Sequence, residues 1–237
     1  MTSIVPDRLS RAQVAAAFAV AGLLALPFAD FSLAGHDPWN GLSRMMRGFL
    51  VPDFGAIDEI GRAAVLTVMF AVAGVATGAA AGFLLAPFYA YTPVRTVCIL
   101  LRSVHELFWA LVLMQAIGIG APAGVAAIAL PYAGIFAKVF SEYFEEADQR
   151  PSEALPAGVD ALSRFLYARM PLVSAQMRIY LLYRLECGLR SSAVLGFIGL
   201  PTLGFQLDTF FRNGDYGAAS AILIIYVGMI ASIRQWM

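Results

Sequence analysis

Residues 153–171 read EALPAGVDALSRFLYARMP. The stretch carries Glu153, Asp160, Arg164 and Arg169 and is punctuated by Gly and Pro, yet it lies between long runs of Ala, Val, Leu, Ile and Phe. Those runs set the class. With 60% hydrophobic and 14% charged residues and a mean hydropathy of +0.74, the chain lies outside the soluble globular range and reads as an all-α, polytopic membrane protein. Its formal net charge is zero, so it has no electrostatic footprint for nucleic acid, and charge acts only through position.

A helix crosses about 30 Å of hydrocarbon with about twenty apolar residues. Working outward from the polar stretch, segments of that length lie at 121–140, 97–119, 63–88 and 13–31 on one side, and at 179–198 and 216–233 on the other. This predicts six spans, with 118–122 so short that the third and fourth form a tight antiparallel pair. The expected organisation is an N-terminal helix and external loop over 1–62, then a membrane core over 63–237 with its polar loop at about 150–171. Arg8, Arg11 and the apolar run before Ser32 also fit a cleavable signal, but a retained helix is the expectation. The loop 30–62, with Trp39, Met45, Met46, Phe49 and Phe54 among its charges, reads as an interfacial amphipathic stretch.

Lys and Arg are retained on the cytoplasmic side of a membrane. With the N-terminus inside, the inner segments hold Arg8, Arg11, Arg95, Lys138, Arg150, Arg164, Arg169, Arg178 and Arg234. The outer segments hold Arg44, Arg47, Arg62 and Arg212. That bias of nine to four places the polar stretch in the cytoplasm, as the longest inner loop. Within it, Ser152 and Glu153 suit a helix start, Gly158 a break, and Asp160 the N-cap of a second short helix ending near Pro171. Leu162, Phe165, Leu166 and Met170 recur at helical spacing and predict an apolar face. The groove for that face is either the protein's own inner surface or a soluble partner.

Enzymatic and redox readings find little support. Lys138 is the one lysine and lies outside any Gly-rich GK[ST] loop, so ATP hydrolysis by this chain is not expected. His105-Glu106 lacks a second His four residues after the first, and no G-x-S-x-G elbow occurs. Cys98 and Cys187 fall inside predicted spans without metal-ligand spacing and read as small buried hydrophobes. No catalytic residue, cofactor or metal site is expected.

Ionisable residues do fall inside the spans. Arg102, His105 and Glu106 stand at i, i+3 and i+4, and Glu186 and Arg190 at i and i+4 with the acid first. An ion facing lipid at mid-depth costs roughly 2.5–3.5 kcal/mol or more, so these groups are expected to face protein or water. One reading pairs Arg102 and Glu106 with Glu186 and Arg190 across the bundle. The other lines a translocation path with Arg102, His105, Glu106, Arg184, Glu186, Arg190 and Ser191, where a guanidinium fork matches oxyanion oxygens bidentately.

Glu153-Ala154, then Gly158, then Pro171 thirteen residues on, resembles the EAA loop of binding-protein-dependent ABC importer permeases, with Ala168 at its hydrophobic position and Met170 at its Leu. RSVHELFWALVLMQAIGIG (102–120), AGVAAIALPYAGIFAKVFSE (123–142) and LLYRLECGLRSSAVLGFIG (181–199) are similar to stretches of the phosphonate and phosphite permeases, in the same order around that loop. The resemblance covers roughly 95–225. It implies a type I ABC importer permease fold in the bacterial inner membrane, cytoplasmic ABC ATPase subunits, an external solute-binding protein, a homodimer, and a phosphonate or related substrate. It also implies that Glu153, Ala154, Gly158, Leu162, Phe165, Leu166 and Pro171 belong to the segment that docks on the ATPase. Leu155-Pro156 departs from the loop pattern, so the first short helix is expected to be kinked or to start later. Alternatives are the same architecture carrying another small solute, or an ATPase-independent secondary transporter. The latter commonly shows inverted repeats with broken helices, and neither is apparent in the sequence.

Overall fold

The computed structural model describes residues 11–25, 38–56, 59–148, 150–153, 156 and 158–235. Ala154 lies outside these residues, as do Arg8, the end of the first expected span and the expected signal-cleavage region. The chain divides into compact units 1–43 and 44–237. The first holds α1 (Arg11–Ala25), which has no charged residue after Arg11. It also contains the start of α2 (Pro38–Leu50).

Among its described residues the second unit is mainly helical, and it is organised on α3 (Ile60–Leu85) and α6 (Ala121–Glu146). Both are long and apolar enough to cross a membrane unbroken. Gly74, Gly78 and Gly82 fall at every fourth residue of α3, so they form one stripe. A Cβ on them would stand 2.6 Å from Ile128 Cβ, 2.8 Å from Tyr132 Cβ and 2.5 Å from Phe136 Cβ. Small residues at this spacing let two membrane helices approach at backbone distance, where dispersion acts without a hydrophobic drive. Below that contact the core is aromatic. Phe136 and Phe140 lie 5.2 Å apart, Phe83 meets Phe144 edge-on at 6.1 Å, and Tyr180 stands 5.7 Å from Phe136. Outward positions of α3, such as Val65 and Met69, are apolar and more than half exposed, as a lipid-facing surface requires.

The third expected span is not one straight helix. It divides into α4 (Thr92–Ser103) and α5 (Glu106–Ile117), bent by 95°, with both parts packed on α6. Val104 and His105 are extended. Ser103 Oγ donates to Ile99 O at 2.6 Å. His105 Nδ1 accepts from the Leu107 N–H at 3.2 Å and caps α5. Trp109 Nε1 donates to Leu101 O at 3.1 Å, satisfying a carbonyl left unpaired by the break. Arg102, His105 and Glu106 therefore do not share one helical face, which corrects the i, i+3, i+4 reading.

The polar stretch at 150–171 also differs from expectation. Its first helix, α7 (Arg150–Glu153), starts earlier than Ser152: Asp148 Oδ1 accepts the Arg150 N–H at 3.0 Å, and Pro151 occupies a position where a missing N–H is harmless. Asp160 caps the second helix, its Oδ2 accepting from Ser163 N at 3.2 Å. That helix, α8 (Ala161–Arg164), does not end near Pro171. It continues through a π-helical turn (Phe165–Arg169) into α9 (Met170–Val194). Pro171 cannot donate to the residue four before it. The wider turn immediately upstream, where Met170 N–H reaches Phe165 O, absorbs the defect.

After α9 and a 3₁₀ turn (Leu195–Ile198), Gly199 takes φ 92 and the chain bends by 51° into α10 (Leu203–Asn213). Thr67 Oγ1, buried in α3, accepts from Leu203 N at 3.0 Å and donates to Ala63 O at 2.7 Å, tying the start of α10 to α3. α11 (Tyr216–Arg234) follows. Residues 44–56 dock on it through Ser220 Oγ to Gly48 O at 3.2 Å and Asp53 N to Gly217 O at 3.1 Å. Among the described residues two to four segments are long and apolar enough to span, fewer than the six expected. Two are unbroken helices, two are bent pairs, and α1 and α11 are shorter apolar helices. The bent pairs correct the reading that broken helices are lacking.

Candidate functional site

The loop residues fall into two groups. Val159 N donates to Pro156 O at 3.2 Å, making Gly158 part of a turn between α7 and α8. Gly158 is exposed, its φ lies outside the left-handed region, and a Cβ added to it meets nothing within 4 Å. Among the described residues, therefore, nothing requires a glycine there. Pro171 is exposed, Leu166 is 46% exposed and Tyr167 78%. Glu153 ends α7, and Leu162 lies in α8.

Phe165 turns the other way. Its ring meets Phe144 edge-on at 4.8 Å, and it lines a recess of about 200 Å³ with Ser141, Glu145 and Arg169 at the end of α6. The expected single apolar face is thereby split. A π turn adds a residue relative to α-helical spacing and rotates the downstream positions by about 100°. Tyr167 is the most exposed large hydrophobic among the described residues of the segment.

The intramembrane charges meet through hydroxyls rather than through each other. Glu106, first residue of α5, accepts from Ser191 Oγ on α9 at 2.7 Å. His105 Nε2 lies 3.7 Å from the same carboxylate oxygen. Tyr132 of α6 stands beside Ser191, within electrostatic reach of Glu106 and Arg184. The carboxylate at a helix N-terminus, accepting from a hydroxyl, needs no guanidinium partner. Among the described residues Glu186 and Arg190 form no ion pair. Arg190 is exposed and donates to Cys187 Sγ at 3.4 Å, and Arg102 is exposed at the end of α4. The expected cross-bundle pairing of Arg102 and Glu106 with Glu186 and Arg190 is thus corrected. The elbow turns Arg102 away from Glu106, and Ser191 lies about 100° round α9 from Arg190.

Arg184 is held by aromatic neighbours. Its Nε and Nη2 donate to Tyr180 Oη at 2.8 and 2.6 Å. Its guanidinium carbon lies 5.0 Å and 5.6 Å from the Tyr180 and Tyr183 ring centroids. No carboxylate neutralises it among the described residues, so its charge remains available to an anion. Sequence reasoning missed Tyr132, Tyr180 and Tyr183. Tyr180 was legible, because it precedes Arg184 by four residues, one helical turn.

Several known proteins resemble the chain. The chain is 35% identical over 134 residues to the phosphite transport system permease protein PtxC of Stutzerimonas stutzeri, covering 56% of this chain and 49% of that one. It is 32% identical over 207 residues to the phosphate-import permease protein PhnE of Mycolicibacterium smegmatis, covering 81% and 39%. PhnE2 of Escherichia coli K12, provisionally named a cryptic phosphonate transport system permease protein, is 30% identical over 95 residues, 40% of this chain and 78% of its own. The chain belongs to the phosphonate and phosphite ABC permease family. No family model matches it, and the permease spans about half the length or less of the first two relatives.

An amino acid ABC transporter crystallised with histidines aligns with TM-score 0.63 at 18% identity, covering 82% of the permease and 93% of that chain. The fold is that of an ABC transporter permease. In this family ATP is hydrolysed by a separate subunit. Membership, together with the apolar helices, makes the permease a multi-pass inner-membrane protein.

Proposed function

We propose that the permease is the membrane subunit of an ATP-driven importer for phosphonate or a related phosphorus oxyanion. Its N-terminus faces the cytoplasm, residues 1–62 form an N-terminal helix and external loop, and residues 63–237 form the transport core. It works as a homodimer with two cytoplasmic ABC ATPase subunits and an external solute-binding protein. The observation that carries this reading is the exposed turn at Gly158, where a Cβ would meet none of the described residues within 4 Å. A bare backbone in an exposed turn, with Leu166 and Tyr167 exposed in the helix that follows, fits close approach by a partner surface. In this reading Glu153, Ala154, Gly158, Leu162, Leu166 and Pro171 belong to the ATPase-docking segment, while Phe165 anchors that segment to α6.

Substrate class is supported by what the relatives carry, which are phosphite, phosphate and phosphonate systems by name, and by the uncompensated Arg184. Reconstitution in proteoliposomes with the ATPase and the binding protein tests it. Uptake of labelled phosphite or phosphonate should require ATP and the binding protein; uptake without either overturns the importer. Arg184→Gln should leave an assembled complex whose uptake falls about tenfold or more, the loss of a charge-assisted hydrogen bond. Arg184→Lys should not recover it, because the planar fork is absent. Normal uptake in Arg184→Gln removes Arg184 from the path.

Orientation is tested by labelling. In a background lacking Cys98 and Cys187, a cysteine at Arg150 should react from the cytoplasm. One at Asn213 should react with an impermeant reagent on intact cells. Reaction of both from outside overturns the arrangement.

A further inference from the structure

We infer that Ser191 and Glu106 form the mechanical link between the cytoplasmic segment and the α4–α5 elbow. This inference rests on the permease reading and names the residues that carry the motion. The helix that begins at Ala161, beside the Gly158 turn, continues without interruption through the π turn to Ile198. Phe165 to Ser191 spans about 40 Å at 1.5 Å per residue. A displacement at its Ala161 end therefore reaches Ser191 along one rod. At Ser191 that rod meets the elbow, because Glu106 is the first helical residue after the 95° break.

The bond has the features of a switch rather than of packing. Ser191 Oγ has two acceptors, Glu106 Oε1 at 2.7 Å on α5 and its own helix carbonyl, Cys187 O, at 3.3 Å. One hydroxyl proton serves one at a time. Rotation of the hydroxyl releases Glu106 while leaving Ser191 satisfied, so both states are permitted in a low-dielectric interior. Released, Glu106 keeps the helix N-terminus and His105, 3.7 Å away. The elbow itself is held on its other side by Trp109 on Leu101 O. Two discrete arrangements, both biased by the position of α9, are what transmission of motion requires. Glu106 and Ser191 are thus positioning residues, acting through the elbow and not on substrate.

The test is the amount of substrate imported per ATP hydrolysed in proteoliposomes holding the permease, ATPase and binding protein, with phosphite as probe. Ser191→Ala and Glu106→Ala should assemble and hydrolyse ATP, with that ratio lowered about tenfold, a loss of the size expected for a hydrogen bond to a charged group. Glu106→Gln and Ser191→Thr, which keep an acceptor and a donor, should recover at least half of it. A ratio within twofold of wild type in Ser191→Ala overturns the link, and so does equal impairment of Glu106→Gln and Glu106→Ala. If Glu106→Ala does not assemble, Ser191→Ala decides alone. Absence of ATP-driven uptake in the wild-type complex overturns the permease reading and this link together. Normal wild-type uptake with unchanged variants overturns the link only.

Discussion

Gly158→Trp should abolish uptake, by about a hundredfold or more, while the variant inserts and unfolds at the wild-type temperature. Against the described residues the change is harmless: Gly158 is exposed and has open space where a side chain would start. Against a docked ATPase an indole has no room. A misplacement of a few ångströms at a hot spot costs several kcal/mol of binding, enough for such a loss. Co-purification of the ATPase should fall with uptake, and thermal unfolding of the isolated permease should not move. Gly158→Ala tests the size dependence and should fold as wild type. Full ATP-coupled uptake by the Trp variant would show that the turn is not a docking surface.

Gly78→Leu is expected to do the reverse, destroying the fold before function can be assayed. A Cβ at this position stands 2.8 Å from Tyr132 Cβ and 3.0 Å from Ala129 O. Neither is the free end of a flexible side chain, so α3 and α6 must move apart. Overpacking a core typically costs about 1–3 kcal/mol and occasionally more. Here separation also loosens the Gly74 and Gly82 contacts, so Leu should exceed that range and Ala fall within it. Gly228, whose added Cβ meets nothing within 4 Å, is the control, and Gly228→Ala should stay within about 1 kcal/mol of wild type. Detergent-solubilised yield and the midpoint of thermal unfolding measure all three. A Gly78→Leu protein with a wild-type midpoint would mean that the stripe does not set the distance between the helices.

Much of this molecule was legible from local chemistry. Apolar length located the long helices α3 and α6, and Asp160 was identified as a helix cap because its carboxylate satisfies a donor of its own next turn. The order of sequence blocks around the loop identified the family. Each of these depends on residues a few positions apart, or on composition alone.

Features that escaped the sequence depend on partners far along the chain. RSVHE contains no Gly or Pro, and nothing local distinguishes a continuous helix through residue 104 from a right-angle elbow. The break is stabilised because Trp109 returns to Leu101 O and because Ser191, 85 residues away, supplies a hydroxyl to Glu106. A rigid i, i+4 pattern likewise placed Phe165 and Leu166 on one face. The π turn demanded by Pro171 and the aromatic seat at Phe144 send Phe165 inward and leave Leu166 and Tyr167 outside. Composition and local capping determined that the chain is built of apolar helices and that a helix starts after Asp160. Tertiary structure decided where the helices bend and which side chains face inward, because in an apolar interior every backbone group freed by a bend must find a partner, and that partner is supplied by packing.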